Sequence, residues 1–150
     1  MPERIRGDNV LLQMFRTGEA VRELMAGAVA GTGITSNEYA VLGAIASLRS
    51  VSPTELASLL RVPPTTISRH VARMVDAELA VRSPNPSDRR SYLLELTDEG
   101  RSVVRVIAPR IRALVQQLRG RVNVDEIGAA LTELEEAARA VALDSTTIRQ

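Results

Sequence analysis

Apolar residues recur at helical spacing in several separate stretches of this chain, and the polar residues between them carry helix start and stop signals. Val10, Leu11, Met14, Ala20, Val21, Leu24, Met25 and Ala28 follow Asp8 as a first helix, which Gly31-Thr32-Gly33 ends. Thr35-Ser36-Asn37-Glu38 has the form of a capping box and opens a second helix through Tyr39–Ala46. Ser52-Pro53-Thr54-Glu55 is a stronger one, with a serine cap, proline at the first helical position and glutamate at the third. It starts a short helix holding Leu56, Ala57, Leu59 and Leu60. Val62-Pro63-Pro64-Thr65 breaks that helix and begins another, expected to run to about Leu79.

The pattern then changes period. Leu79–Arg82 and Tyr92–Leu96 read as strands, with Tyr92, Leu94 and Leu96 on one side of the second and Leu93 and Glu95 on the other. Between them lies the turn-rich stretch Ser83–Arg90, too long for a two-residue hairpin. Thr97 caps a long helix with Asp98 and Glu99 in its first turn, where the helix dipole favours negative charge. Pro109 is expected to kink or interrupt that helix. Asn123-Val124-Asp125-Glu126 caps a last helix holding Ile127, Leu131, Leu134, Ala138 and Val141. The order is helix, helix, short helix, helix, two-stranded ribbon, helix, helix. The fold class is mainly α with a small β-wing.

A short helix, a tight turn and a second helix form the unit that sets a recognition helix in the major groove of DNA. On the second helix, Ile67, Val71, Met74 and Val75 fall in one narrow apolar stripe. The opposite face is expected to present Thr65, Thr66, Arg69, Ala72, Arg73 and Asp76, with Ser68 at its edge. Hydroxyls near the amino end and arginines one turn apart suit base edges and phosphates. His70 falls off the centre of this face and reads as a surface or boundary residue.

Charge sharpens the reading once it is divided along the chain. The net charge is only +1, yet residues 49–92 hold seven arginines against four acids, while the segments on either side are each slightly acidic. The ribbon's turn ends in Arg89 and Arg90. An extended loop carrying guanidinium groups can enter the minor groove. Every cationic residue is arginine and none is lysine. Coding bias in a GC-rich genome is the leading explanation for that, ahead of a use of arginine's bidentate contacts.

Composition removes other classes of function. With 150 residues, 45% hydrophobic and 25% charged, the chain has the make-up of one globular domain. There is no cysteine and a single histidine, so disulfides, thiolate chemistry, a histidine metal site and a hydrolytic triad are not expected. No glycine-rich phosphate loop stands in the chain, and the hydroxyls of Ser52 and Thr97 are accounted for as caps. The reading is a protein without enzymatic activity, metal or cofactor. No apolar run reaches the ~18 residues of a membrane span. The first residues lack a cleavage signal, so the expected location is the cytoplasm.

The stretch SPTELASLLRVPPTTISRHVARMVDAELAVR, followed by PNPSDRRSYLLELTDEG, resembles the multiple-antibiotic-resistance regulator (MarR) family of winged helix-turn-helix proteins. Its most specific part is Asp88-Arg89-Arg90 with the strand ending Leu96-Thr97 and then Gly100. TSNEYAVLGAI resembles the helix that precedes the motif in that family. The resemblance implies a winged helix-turn-helix region at residues 34–97 and a helical dimerisation region formed by residues 1–33 and 98–150. It implies a homodimer on a palindromic operator in double-stranded DNA, a repressor that small, often aromatic or phenolic ligands release. By the same resemblance Thr65, Thr66, Ser68, Arg69 and Arg73 are recognition-helix positions and Arg90 is the wing arginine. Asp88 would orient Arg90 through an ion pair, and Arg89 would lie beside the DNA backbone. Phe15, Tyr39 or Arg16 could line a ligand site between the helices, although each reads first as core or surface. Glu78 stands where the family usually has glycine. If that position needs a positive φ, either the helix ends differently here or the wing leaves at another angle.

Overall fold

The structure, a computed structural model, describes residues 10–147, with side chains through residue 144. The expected start of the first helix just after Asp8 lies outside the described residues. Six helices and one two-stranded antiparallel sheet follow in the order α1 (Val10–Val29), α2 (Ser36–Leu48), α3 (Pro53–Leu60), α4 (Pro64–Asp76), β1 (Ala80–Pro84), β2 (Tyr92–Leu96), α5 (Asp98–Arg119) and α6 (Val124–Thr147). The chain forms two compact units, residues 1–111 and 112–150.

In the first unit both capping boxes form as the sequence requires. The Thr35 hydroxyl accepts the Glu38 N–H at 3.2 Å while the Glu38 carboxylate accepts the Thr35 N–H at 2.7 Å. Ser52 and Glu55 repeat the exchange at 3.2 and 2.8 Å. Those bonds from Ser52, the backbone N–H first, hold the Glu55 carboxyl below its ordinary range. From these caps α2 and α3 converge with α4 on a core whose fully buried members are Leu42, Ile45, Val51, Leu56, Ile67, Val71, Met74 and Leu94. The sheet closes that core from one side in the register Ala80↔Leu96 to Pro84↔Tyr92. A lone bridge between Val51 and Leu94, at 2.8 and 3.2 Å, ties the α2–α3 connection to the same sheet.

Two helices end in the same way, and neither uses glycine. Past α3, Arg61 adopts φ +52°, with its N–H bonded to Ser58 O at 3.3 Å and the Val62 N–H to Ala57 O at 3.1 Å. Past α4, Glu78 adopts φ +56°, with its N–H on Val75 O at 3.0 Å and the Leu79 N–H on Met74 O at 2.9 Å. This is the Schellman arrangement, in which a left-handed residue turns the N–H groups past the helix end back onto its last free carbonyls. It ends α4 at Asp76, three residues before the expected Leu79. The helix does end earlier, but through the left-handed conformation itself, which Glu78 accepts at a cost of roughly 1–2 kcal/mol. Glu78→Gly is therefore expected to raise stability by about 1 kcal/mol, less what glycine adds to the freedom of the unfolded chain. A thermal melt about 2–4 °C higher would show it.

The base of the sheet is locked to α5. Thr97 donates its hydroxyl to Glu78 O at 2.7 Å and accepts the Gly100 N–H at 3.0 Å, while its own N–H reaches Leu79 O at 3.1 Å. Arg101 adds a bond to Leu96 O at 2.6 Å. Further along, the Arg110 guanidinium donates to Ala28 O and Ala30 O at 3.1 and 2.9 Å, satisfying carbonyls at the negative end of α1. Of the two outcomes expected at Pro109, a kink or an interruption, the second does not occur, and α5 runs on through it. Its missing N–H frees only the carbonyl one turn earlier, and both Arg105 and Pro109 are exposed, so water can satisfy it. In the second unit Asn123 caps α6 by accepting the Glu126 N–H at 3.3 Å, and Arg119 reaches Asp125 at 3.1 Å. Among the described residues no helix is long and apolar enough to cross a membrane.

Candidate nucleic-acid interface

Helix α4 is anchored on one side only. Ile67, Val71 and Met74 are buried in the core and Val75 is half-buried, which fixes the helix against α2 and α3. Thr65, Ser68, Arg69, Arg73 and Asp76 are exposed on the other side. The Ser68 hydroxyl bonds back to Pro64 O at 3.0 Å, leaving its oxygen free to accept. The amino end of α4 has no side-chain cap and no acidic residue in its first turn, so the positive pole of its dipole is uncompensated.

Thr66 and Ala72 do not belong to this face. Both are half-buried, and Thr66 borders a cavity of about 190 Å³ with Asn37, Ala40, Val41, Leu60, Val62, Ile67 and His70. One residue before Ile67 is about 100° around the helix, which turns Thr66 toward α2. His70 is half-buried at the same boundary, and its Nδ1 is buried with no hydrogen-bond partner.

The two arginines of α4 are not equivalent. The Arg69 side chain has no hydrogen bond or ion pair among the described residues. Arg73 Nε lies 2.9 Å from Oε1 of Glu38, the capping glutamate of α2, whose side chain is only 4% exposed while that of Arg73 is 61% exposed. Sequence reasoning assigned Glu38 a cap and nothing else. The signal that a cap needs only one carboxylate oxygen was present, but the partner lies 35 positions away and on another helix.

The loop between the strands organises itself through its polar side chains. Asn85 Oδ1 accepts the Ser87 N–H at 3.0 Å, and Asp88 Oδ1 accepts the Arg90 N–H at 2.9 Å. The Ser91 N–H closes on Asp88 O at 3.0 Å. These are Asx-type turns, and they set the backbone that carries Arg89 and Arg90. The expected ion pair between Asp88 and the Arg90 guanidinium is not among the ion pairs of the described residues. With Asp88 Oδ1 holding the Arg90 N–H, the residue shapes the loop rather than aiming the charge. Arg89 and Arg90 are both exposed. On the strand below, the Arg82 guanidinium lies over the Tyr92 ring, 5.0 Å from its centroid. Arg82 was not among the candidate residues, because a diagonal cross-strand contact depends on a register that the sequence did not specify.

Known proteins share this fold. The model of the MarR family matches residues 32–91. The chain is 29% identical to the transcriptional activatory protein BadR of Rhodopseudomonas palustris over 125 residues, 80% of this chain and 71% of that one. Matches to BadR and to a second curated relative span 71% and 62% of those proteins' lengths. Among solved structures, the PcaV transcriptional regulator of Streptomyces coelicolor, in complex with its natural ligand, superposes with a TM-score of 0.77 at 26% identity. That match covers 94% of this chain and 99% of PcaV. A cysteine-to-serine mutant of MarR from E. coli, complexed with operator DNA, gives a TM-score of 0.73 at 23% identity over 90% of this chain and 98% of that one. With the helix-turn-helix and the wing in place, the chain is similar in sequence and in fold to the MarR family of winged helix-turn-helix transcriptional regulators.

Proposed function

We propose that this protein is a dimeric regulator that binds a palindromic site in double-stranded DNA, with α4 in the major groove and the wing tip in the adjacent minor groove. The observation that carries the reading is the one-sided anchoring of α4. Ile67, Val71 and Met74 hold the helix, and Thr65, Ser68, Arg69 and Arg73 are left on its exposed side. Arg69 and Arg73 reach base edges, Thr65 and Ser68 reach bases or phosphates near the helix start, Arg90 enters the minor groove and Arg89 lies along the backbone. Asp88 keeps the loop that carries the last two in shape. A regulator of this kind works in the cytoplasm, where its duplex is.

Assembly follows from the helices outside the motif. On α1, Val10, Leu11, Phe15 and Val21 are exposed, as are Ile127, Leu131, Val141 and Leu143 on α6. Apolar side chains in such numbers are the surface that a second copy of the chain covers, pairing the recognition helices about 34 Å apart. Small aromatic or phenolic molecules release the DNA; PcaV, a regulator of the same fold, is solved in complex with its natural ligand. Where the operator overlaps a promoter the outcome is repression.

Selection of bound sequences from a random duplex pool tests the reading. The expected product is an inverted repeat whose half-sites are centred about 10–10.5 base pairs apart, bound by a protein that sediments as a dimer at micromolar concentration. Recovery of no preferred sequence, or full affinity from a monomer, would contradict it.

A further inference from the structure

We propose that Glu38 is the positioning residue for Arg73 and that the pair makes this arginine a reader of bases rather than a phosphate clamp. The inference rests on the DNA-binding reading above.

Three observations carry it. Glu38 is 3% exposed, so its carboxylate has been taken out of water at a cost that only partners offset. One oxygen, Oε2, serves the cap, accepting from the Thr35 N–H at 2.7 Å and from its hydroxyl at 3.1 Å. A glutamine would serve that purpose as well. The other oxygen, Oε1, holds Arg73 Nε at 2.9 Å, although Arg73 is an exposed residue of the recognition helix.

The consequence lies in the shape of the guanidinium group. The ion pair is made at Nε, and the two terminal nitrogens, the donors that fork onto guanine O6 and N7, remain available. Fixing Nε before DNA arrives removes rotamer freedom that binding would otherwise have to remove. The adjacent carboxylate also neutralises the arginine as seen from a distance. The pair therefore gains little from the phosphate field and adds little to counterion release. Arg69, with no such partner, keeps its full charge.

The test uses the full chain, the duplex selected by the wild-type protein, and a shuffled duplex of equal composition, over a series of salt concentrations. Glu38→Gln keeps an oxygen for the Thr35 N–H and loses the charge that holds Arg73. It is expected to reduce the preference for the selected duplex about fivefold and to steepen the salt slope by about one unit, because Arg73 is freed to reach phosphate. Arg73→Ala should reduce that preference about tenfold, and the double variant should be no worse than Arg73→Ala alone. Arg73→Lys keeps the charge but not the fork, and should lose base preference while holding affinity for the shuffled duplex. Nuclear magnetic resonance of the free protein gives an independent reading, in which the Arg73 Nε resonance reports a restricted side chain in the wild type and a mobile one in Glu38→Gln. Additive losses in the double variant would reduce Glu38 to a structural role. Unchanged selectivity in Glu38→Gln or in Arg73→Lys would overturn the proposal. A wild-type protein that prefers no duplex would instead fail the DNA-binding reading, and this proposal with it.

Discussion

Gly100→Ala is expected to destabilise the protein by about 3 kcal/mol or more, lowering the thermal midpoint by roughly 6–12 °C. A Cβ at this position would stand 2.0 Å from Leu79 O and 2.9 Å from Leu79 C, both backbone atoms. Neither atom is free to move. Leu79 O accepts the Thr97 N–H, and the Leu79 N–H terminates α4 on Met74 O at 2.9 Å. Relief would have to come from the first turn of α5, which the Thr97 hydroxyl holds through the Gly100 N–H at 3.0 Å. The substitution thus sets the end of the recognition helix, the start of the wing and the start of α5 against one another. A melt within 2 °C of wild type would show that this junction gives way more easily than its hydrogen bonds indicate.

Arg69→Ala is expected to lower affinity for the selected duplex by about 5- to 150-fold, the range for loss of a bidentate base contact, and to relax the choice of base at one position. Its thermal midpoint should be unchanged, because Arg69 has no partner among the described residues. Arg73→Ala should behave differently. Removing it leaves the Glu38 carboxylate buried without its cation, so stability and binding fall together. Measuring both quantities for both variants separates a contact made only to DNA from one shared with the fold. If Arg69→Ala keeps wild-type affinity and base preference, α4 is not the recognition helix.

Local chemistry was readable from the sequence wherever a single turn of chain decides it. Thr35-Ser36-Asn37-Glu38 and Ser52-Pro53-Thr54-Glu55 form the caps they spell out, since a capping box closes over four residues. The stripe of Ile67, Val71 and Met74 is buried because its period matches the helix. The ribbon is found between the expected runs, with β1 extended to Pro84, a residue tolerated at the end of an edge strand.

What was not readable depends on parts of the chain that meet only after folding. The Val51–Leu94 bridge, the Glu38–Arg73 pair and the packing of Gly100 on Leu79 join residues 43, 35 and 21 positions apart. Glu78 and Arg61 end their helices in left-handed conformations that residue type alone disfavours, so the end of α4 was placed too late. Thr66 looked like part of the polar face until the position of α2 turned that side of the helix into a cavity wall. Asp88 and Arg90 were expected to pair by charge, but a two-residue separation suits an Asx turn, and the backbone N–H takes the carboxylate.

The most direct measurement is the affinity of the full chain for its selected duplex and for a shuffled duplex, by fluorescence anisotropy, across a series of salt concentrations. In the proposed dimer two wings and two uncapped recognition helices should neutralise several phosphates, so the logarithm of affinity should fall with the logarithm of salt at a slope steeper than about −3. At any one salt concentration the selected duplex should be preferred by about a thousandfold or more. Equal affinity for the two duplexes, or binding indifferent to salt, would contradict the assignment of α4 and the wing as a DNA-reading surface.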